Sequence, residues 1–191
     1  MTREEILTIF KKTGALQNGH FALTSGLHSD TYFQCALVLQ HPQYAVSLCR
    51  LGFERFKEED IDTVVAPAVG GIVVGYELAR QLGALAKFTE REGGIMTLRR
   101  GFQIRPGERC LIAEDVITTG GSVREVIDVI HKAGGTVVGL FSIVNRSTKS
   151  FDFGVPWYSA IELQAAIYMP EECPLCEQGI PVRKPGSRSL P

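Results

Sequence analysis

The residues in this sequence that are best suited to chemistry are two adjacent carboxylates and the turn that follows them. Glu114 and Asp115 come directly after an apolar run at 110–113, and residues 118–122 read Thr-Thr-Gly-Gly-Ser. A turn of this composition that enters a helix offers backbone N–H groups, hydroxyl groups and the positive end of the helix dipole to one point. Such a point suits a phosphate monoester. The carboxylates suit vicinal hydroxyl groups or a divalent cation, so the whole segment favours a sugar phosphate.

A plainer interpretation of the same segment is a strand-to-helix turn beside a solvated acidic pair. Ser122 and Glu125 have the spacing of a capping box, which predicts that a helix starts there. Two adjacent carboxylates at the end of a buried strand are costly without a ligand, and this favours the functional interpretation. The segment matches neither Gly-x-Gly-x-x-Gly nor Gly-x-x-x-x-Gly-Lys, which argues against a dinucleotide or nucleoside triphosphate site.

The elements that must position these groups alternate between strands and helices. The pattern predicts a first helix over 2–13, short strands within 21–34 joined at Ser25-Gly26, and a helix from Pro42 to Phe56. Further strands are predicted at 63–66, 85–88, 96–98, 110–113 and 136–144, and further helices at 70–82 and 123–133. Short apolar strands alternating with helices predict an α/β fold with an open, mostly parallel twisted sheet flanked by helices.

The predicted organisation is a single domain in three parts. Residues 1–40 form an N-terminal helix and a small hood, residues 60–146 form the α/β core, and residues 147–191 form a C-terminal segment with a mobile tail from about Pro181. The formal net charge of −1 offers no general attraction to nucleic acid or to an anionic membrane. No apolar run is long enough to span a bilayer, and the charged N-terminus does not resemble a signal peptide. A cytoplasmic protein is expected.

The five cysteines do not form the pattern of a disulfide framework. Cys173 and Cys176 have metal-ligand spacing, but no second pair lies near them in the sequence. A zinc site would need histidines, Cys110 or another subunit to complete it. A turn near the C-terminus is the favoured interpretation.

Residues 113–122, which read Ala-Glu-Asp-Val-Ile-Thr-Thr-Gly-Gly-Ser, resemble the signature of the type I phosphoribosyltransferases. These enzymes bind 5-phosphoribosyl 1-pyrophosphate, and the resemblance is strongest to the branch that uses orotate, over nearly the whole chain. It implies that Glu114 and Asp115 hold the ribose hydroxyls and that residues 118–122 hold the 5′-phosphate. It also implies Mg²⁺-dependent transfer of ribose 5-phosphate to orotate, with Mg²⁺ held mainly through the substrate, and a homodimer that shares a loop across its interface.

The resemblance extends to four other segments. Residues 66–71 match a pyrophosphate loop, although several relatives carry a lysine near Val69 that is absent here. Tyr32 or Phe33 of the hood could stack on the pyrimidine, or both could be core residues. Residues 90–102 could be a mobile loop that closes over the site, or a solvated hairpin. Arg146 could contact the orotate, or form a structural salt bridge.

Taken together, the resemblance implies catalytic roles for Asp115, Arg99 and Arg100. The substrate contacts that it implies are Glu114, Asp115, Val116, Ile117, Thr118, Thr119, Gly120, Gly121, Ser122, Arg146, Arg91, Ala68, Val69, Gly70 and Phe33. Two alternatives remain: a purine-salvage enzyme of the same family, and a regulator that binds the sugar phosphate without catalysis. Against the regulator, the sequence carries neither a DNA-binding helix-turn-helix nor a basic patch.

Overall fold

The computed structural model describes residues 1–23, 26–147, 151–163 and 165–184. Within them the elements follow in the order α1 (Arg3–Lys12), β1 (Leu16–Ala22), β2 (His28–Phe33), α2 (Cys35–Leu39), α3 (Pro42–Phe56), β3 (Thr63–Pro67), α4 (Gly71–Leu82), β4 (Leu85–Glu92), β5 (Ile95–Leu98), β6 (Arg109–Ile117), α5 (Gly121–Lys132), β7 (Thr136–Asn145), β8 (Trp157–Glu162), β9 (Ile167–Tyr168), a 3₁₀ turn (Pro170–Glu172) and α6 (Pro174–Glu177).

The main sheet has six strands in the order β5-β4-β3-β6-β7-β8. Strands β4, β3, β6, β7 and β8 run parallel, and only β5 is antiparallel to its neighbour. The predicted fold class, an open and mostly parallel α/β sheet flanked by helices, is therefore confirmed. Strands β8 and β9 were not predicted, because their residues alternate weakly, and the helix α2 was not predicted, because its apolar run of five residues is too short to show a helical period.

Strand β6 explains how both faces of the sheet are covered. Leu111 and Ala113 point into a core formed with α3 and α4, whereas Cys110 and Ile112 point into a second core formed with α5. All four side chains are fully buried, as expected for a central parallel strand between two helical layers. The carboxyl end of this strand thus lies at the middle of one edge of the sheet.

The N-terminal part forms a separate three-stranded antiparallel sheet in the order β1-β2-β9. The preceding helix α1 starts with the predicted capping box, in which Thr2 and Glu5 bond each other's backbone N–H groups at 3.2 and 2.7 Å. The predicted joint at Ser25 lies outside the described residues.

The C-terminal segment returns to this small sheet. The N–H of Arg183 donates to the His20 carbonyl at 2.7 Å, and the Arg183 carbonyl accepts from Ala22 N–H at 2.8 Å. Residue 183 is therefore held against β1, which differs from the mobile tail predicted from Pro181; residues 185–191 lie outside the described residues. Within the described part of the chain, the structure contains no helix of the length and apolar character needed to cross a membrane.

Candidate functional site

The acidic pair lies inside β6 and not after it. The strand continues to Ile117 because it pairs with β7 as far as Asn145, so the predicted strand end at 113 was four residues too early. The Glu114 side chain is buried, the Asp115 side chain is half-buried, and the Asp115 N–H donates to Glu114 Oε1 at 3.1 Å. Burial raises the pKa of the Glu114 carboxyl well above its usual range, and the charge of Asp115 raises it further.

The carboxyl groups of Glu114 and Asp115 would repel each other if both were ionised. Two carboxyl groups side by side in a poorly hydrated place cannot both ionise cheaply, so Glu114 keeps its proton more readily than a solvated carboxyl group does. Hydroxyl donors or a cation beside Asp115 would relieve the repulsion. The geometry therefore fits a ligand that is rich in hydroxyl groups or carries a metal.

The turn after β6 leads into α5 through Gly120, which adopts a left-handed conformation with φ of 72°. A Cβ at this position would lie 2.9 Å from Cζ of Phe153, so only glycine fits. The predicted capping box at Ser122 is wrong: the helix begins at Gly121, Ser122 lies in the first turn, and Glu125 pairs with Arg91.

The first turn of α5 presents backbone donors that have no hydrogen-bond partner within the helix. The first intrahelical bond runs from Arg124 N–H to the Gly120 carbonyl at 3.1 Å, which leaves the N–H groups of residues 121–123 without a partner in the helix. Thr118 and Thr119 are exposed beside these groups. The arrangement can hold a phosphate group without any lysine or arginine.

The loop of residues 68–70 faces the acidic pair from the neighbouring strand. The Ala68 N–H donates to the Thr89 carbonyl at 2.8 Å, the peptide between Ala68 and Val69 is cis, and the Val69 side chain is 82% exposed. A Cβ on Gly70 would lie 2.6 Å from Cγ of Asp115, so the backbone passes directly against that carboxylate. The loop and the acidic pair thus line one cleft.

Arg146 follows β7 at the same edge of the sheet. Its backbone N–H donates to the Ile117 carbonyl at 2.9 Å, which brings the side chain beside the end of β6. The side chain is 6% exposed, and its Nε has no hydrogen-bond partner among the described residues. Burial lowers the pKa of the guanidinium, which nevertheless stays protonated. A buried Nε–H of a charged group, without a partner in the described part of the chain, is the feature of this cleft that most clearly favours an anionic or carbonyl ligand.

The hood approaches this arginine through the end of β2. The Phe33 ring centroid lies 6.0 Å from Cζ of Arg146, and Phe33 is buried in the core, with 7% exposure. Tyr32 is half-buried, and burial raises the pKa of its phenol, while the Arg146 charge acts in the opposite direction. Tyr32 is therefore the more accessible of the two aromatic rings.

Cys35 is a neighbour of the site that the sequence did not indicate. Its thiol is buried and donates to the Asp115 carbonyl with an Sγ–O distance of 3.8 Å. Burial raises the pKa of this thiol well above its usual value, and the charge of Asp115 raises it further, so it is not a nucleophile. No motif links Cys35 to residue 115, because only the folded chain brings them together.

The three candidate arginines lie on or beside the hairpin β4–β5, which is separated from β6 by β3. Arg91 pairs with Glu125 of α5 at 2.6 Å, and the other two pair within the hairpin. The distances are 3.3 Å from Arg99 to Glu92 and 2.8 Å for both bonds of Arg100 to Glu90. The structure thus brings together residues 114–122, residues 68–70 and Arg146, and leaves Arg99 and Arg100 as exposed cations at the side of the cleft.

The comparisons with known proteins agree with one another. A family model described as a phosphoribosyl transferase domain matches residues 37–175. A curated protein from Pelotomaculum thermopropionicum, named orotate phosphoribosyltransferase, is 57% identical over 190 residues and covers 100% of both chains. The crystal structure of orotate phosphoribosyltransferase from Aeropyrum pernix is 25% identical with a TM-score of 0.71, and covers 83% of this chain and 93% of its own.

An enzyme for a different base has a similar fold. The structure of adenine phosphoribosyltransferase from Rhodothermus marinus is 25% identical with a TM-score of 0.65, and covers 82% of this chain and 99% of its own. The fold alone therefore does not distinguish between a pyrimidine and a purine acceptor. Full-length sequence identity above 50% to proteins named orotate phosphoribosyltransferase distinguishes between these acceptors more directly.

Proposed function

We propose a reaction for this cleft on the premise that the chain belongs to the phosphoribosyltransferase family and, within it, to the orotate phosphoribosyltransferases. In the proposed reaction, N1 of orotate attacks C1′ of 5-phosphoribosyl 1-pyrophosphate, the C1′–O1 bond to pyrophosphate breaks, and orotidine 5′-monophosphate and pyrophosphate are formed. The reaction belongs to the biosynthesis of pyrimidine nucleotides. The observation that carries the choice of acceptor is the buried, unpartnered Nε of Arg146, which suits the carboxylate of orotate.

The sugar phosphate would lie across the end of β6. The unpaired N–H groups of residues 121–123 and the hydroxyl groups of Thr118 and Thr119 support binding of the 5′-phosphate. Asp115 would accept hydrogen bonds from the ribose hydroxyls, and protonated Glu114 would donate or accept one. Val116 and Ile117 would contribute the strand backbone that leads into this turn.

The leaving group would lie against the loop of residues 68–70. Charge builds on the pyrophosphate as the C1′–O1 bond breaks, and backbone N–H groups of this loop can stabilise it because Gly70 allows close approach. Arg99 and Arg100, on the exposed side of the β4–β5 hairpin, could turn toward the pyrophosphate, each at the cost of one surface ion pair. Since the loop carries no lysine, these cations and Mg²⁺ would supply the positive charge.

The donor set of the cleft fits Mg²⁺. This ion prefers oxygen ligands and commonly binds one or two carboxylates together with substrate phosphates, and Asp115 offers one such carboxylate beside Gly70. When bound, Mg²⁺ supplies Lewis-acid stabilisation of the leaving pyrophosphate. The remaining work of the chain is to orient both substrates and to exclude water.

The aromatic residues of the hood would cover the base. Tyr32, the more accessible ring, would contact the pyrimidine, and buried Phe33 would hold the Arg146 guanidinium in position. We further propose that the chain acts as one domain, that it forms a homodimer in which the β4–β5 hairpin approaches the partner's cleft, and that it works in the cytoplasm. The free state of all five cysteines supports a reducing compartment.

Turnover with purified protein, Mg²⁺ and 5-phosphoribosyl 1-pyrophosphate tests the proposed function. Loss of orotate absorbance with equimolar release of pyrophosphate is expected, and no turnover is expected with adenine, guanine or hypoxanthine. Turnover of a purine but not of orotate would assign the chain to purine salvage. Tight binding of 5-phosphoribosyl 1-pyrophosphate without turnover of any base would indicate a regulator.

A further inference from the structure

A cluster of metal-ligating side chains lies away from the cleft, between the hood and the C-terminal segment. His20 belongs to β1, His28 starts β2, Cys173 precedes α6 and Cys176 lies within it. One ligand atom from each of the four residues lies within 4.8 Å of all the others. Two parts of the chain that are distant in sequence, the β1–β2 hairpin and residues 173–176, therefore present two imidazoles and two thiols to one point.

The distances within the cluster resemble the edges of a coordination tetrahedron. With zinc bond lengths of about 2.3 Å to sulfur and about 2.0 Å to nitrogen, a tetrahedron has sulfur–nitrogen edges of about 3.5 Å. The observed distances from His20 Nε2 are 3.5 Å to Cys173 Sγ and 3.7 Å to Cys176 Sγ, and from His28 Nδ1 to Cys176 Sγ 3.3 Å. The two imidazole nitrogens are 2.9 Å apart, about 0.4 Å short of the nitrogen–nitrogen edge. A small ring movement would correct this.

The orientation of His20 is that of a metal ligand. Its Nδ1 lies 2.7 Å from the Ile180 carbonyl, which can only accept a hydrogen bond. Nδ1 therefore carries the proton, and the lone pair of Nε2 points into the cluster. A backbone carbonyl that fixes the tautomer and direction of a coordinating imidazole is the usual outer partner of a metal-bound histidine. His20 and Cys173 are also almost fully buried, at 2% and 0% exposure.

We propose that His20, His28, Cys173 and Cys176 bind one Zn²⁺ ion in a closed tetrahedral site. Two sulfur and two nitrogen ligands in this geometry favour zinc among the common divalent metals. Binding releases one proton from each thiol, and the two thiolates balance the charge of the ion. Since four protein ligands leave no open position, the site is structural and takes no part in catalysis.

The proposed ion joins the hood to the C-terminal segment at the start of β2, the end of this strand that lies away from the cleft. The neighbouring bonds of Arg183 to His20 and Ala22 already align these two segments. Strand β2 starts at His28 and ends at Tyr32 and Phe33, which reach Arg146. Fixing the start of this strand would therefore also restrain the position of the aromatic residues over the cleft.

The metal content of the untagged protein, purified without chelators, tests the proposal. We expect about one zinc per chain by mass spectrometry, and replacement by Co²⁺ should give the visible absorption of a tetrahedral thiolate site. The substitutions His28→Ala and Cys176→Ser should each reduce the zinc content at least fivefold. They should also lower the melting temperature by about 5 °C or more.

Two variants serve as matched controls. His131→Ala removes an exposed histidine at the end of α5, and Cys49→Ala removes a buried thiol of α3, so both should retain full zinc content. Wild-type protein that neither contains zinc nor binds added Zn²⁺ in competition with a chromophoric chelator would overturn the proposal. A Cys173–Cys176 disulfide in the purified protein, or unchanged zinc in both ligand variants, would also overturn it. Because the readout is metal content, these outcomes are independent of the turnover assay.

Discussion

Replacing Arg146 with alanine should weaken orotate binding far more than it affects folding. In the free protein the guanidinium is buried, and its Nε has no partner among the described residues, so truncation breaks no hydrogen bond of this atom to them. Truncation removes the cost of burying an unpaired charge and leaves a cavity beside Phe33, and these effects oppose each other. The melting temperature should therefore change by no more than about 3 °C.

The expected loss in binding follows from the burial of the site. Removing one partner of a buried, hydrogen-bonded charge pair costs about 2–5 kcal/mol. At about 1.4 kcal/mol for each factor of ten, kcat/KM for orotate should fall by about 30-fold to 4,000-fold. Arg146→Lys should recover only part of this, because an ammonium group keeps the charge but not the planar pair of donors.

Steady-state kinetics with orotate as the varied substrate, together with equilibrium binding of 5-phosphoribosyl 1-pyrophosphate, measure this effect. Binding of the sugar phosphate should stay within about twofold of wild type, since it depends on residues 114–122. Arg50→Ala, which removes a surface arginine paired with Glu54 on α3, is the matched control and should leave all constants unchanged. If Arg146→Ala retained wild-type kcat/KM for orotate, the assignment of the acceptor site would be refuted.

The other predictions concern Asp115 and Gly120, at the same edge of the sheet, and Glu108, which precedes the opposite end of β6. Asp115→Asn should reduce kcat by at least about 100-fold while the melting temperature changes little, because it removes a ligand contact at constant volume; equal losses in activity and stability would indicate a structural carboxylate. Gly120→Ala should destabilise the fold by about 1–2 kcal/mol and weaken binding of the sugar phosphate, because φ of Gly120 is 72° and the new methyl group would approach Phe153. Urea unfolding measures the loss of stability, and binding titrations measure the loss of affinity. Glu108→Gln should lower the free energy of unfolding by about 3 kcal/mol at neutral pH. Burial alone would raise the pKa of Glu108, but hydrogen bonds from Arg105 N–H, Lys87 and other donors outweigh burial and lower this pKa to about 2. This stabilisation is present above about pH 4.5 and is lost as the pH falls toward 2. In urea titrations, the difference in free energy of unfolding between wild type and Glu108→Gln should therefore shrink over that range. A difference that is independent of pH would contradict this explanation.

Much of the fold was predictable because its parallel strands are apolar runs and its helices carry clear start and stop signals. The helix from Pro42 to Phe56 and the strand at 63–67 lie close to their predicted positions. The end of β6 was misplaced because charged residues at 114 and 115 look like the end of a strand. Pairing with β7, which involves distant residues, continues the strand through them.

The candidate site was predictable where its residues follow one another in the chain, as in residues 114–122. Spacing also suggested a cap at Ser122, but the left-handed Gly120 starts the helix earlier. Contacts between distant segments left no local signal. Neither the approach of Cys35 to Asp115 nor the meeting of His20 with the Cys173–Cys176 pair could be read from spacing, because both depend on how the hood packs.

The position of orotidine 5′-monophosphate in a crystal structure of its complex with this protein is the most direct test of the central claim. We predict the 5′-phosphate at the N–H groups of residues 121–123, the ribose hydroxyls at Asp115, and the orotate carboxylate within hydrogen-bond distance of Arg146. A nucleotide bound with its phosphate elsewhere, or with its carboxylate away from Arg146, would contradict the proposed arrangement of the site.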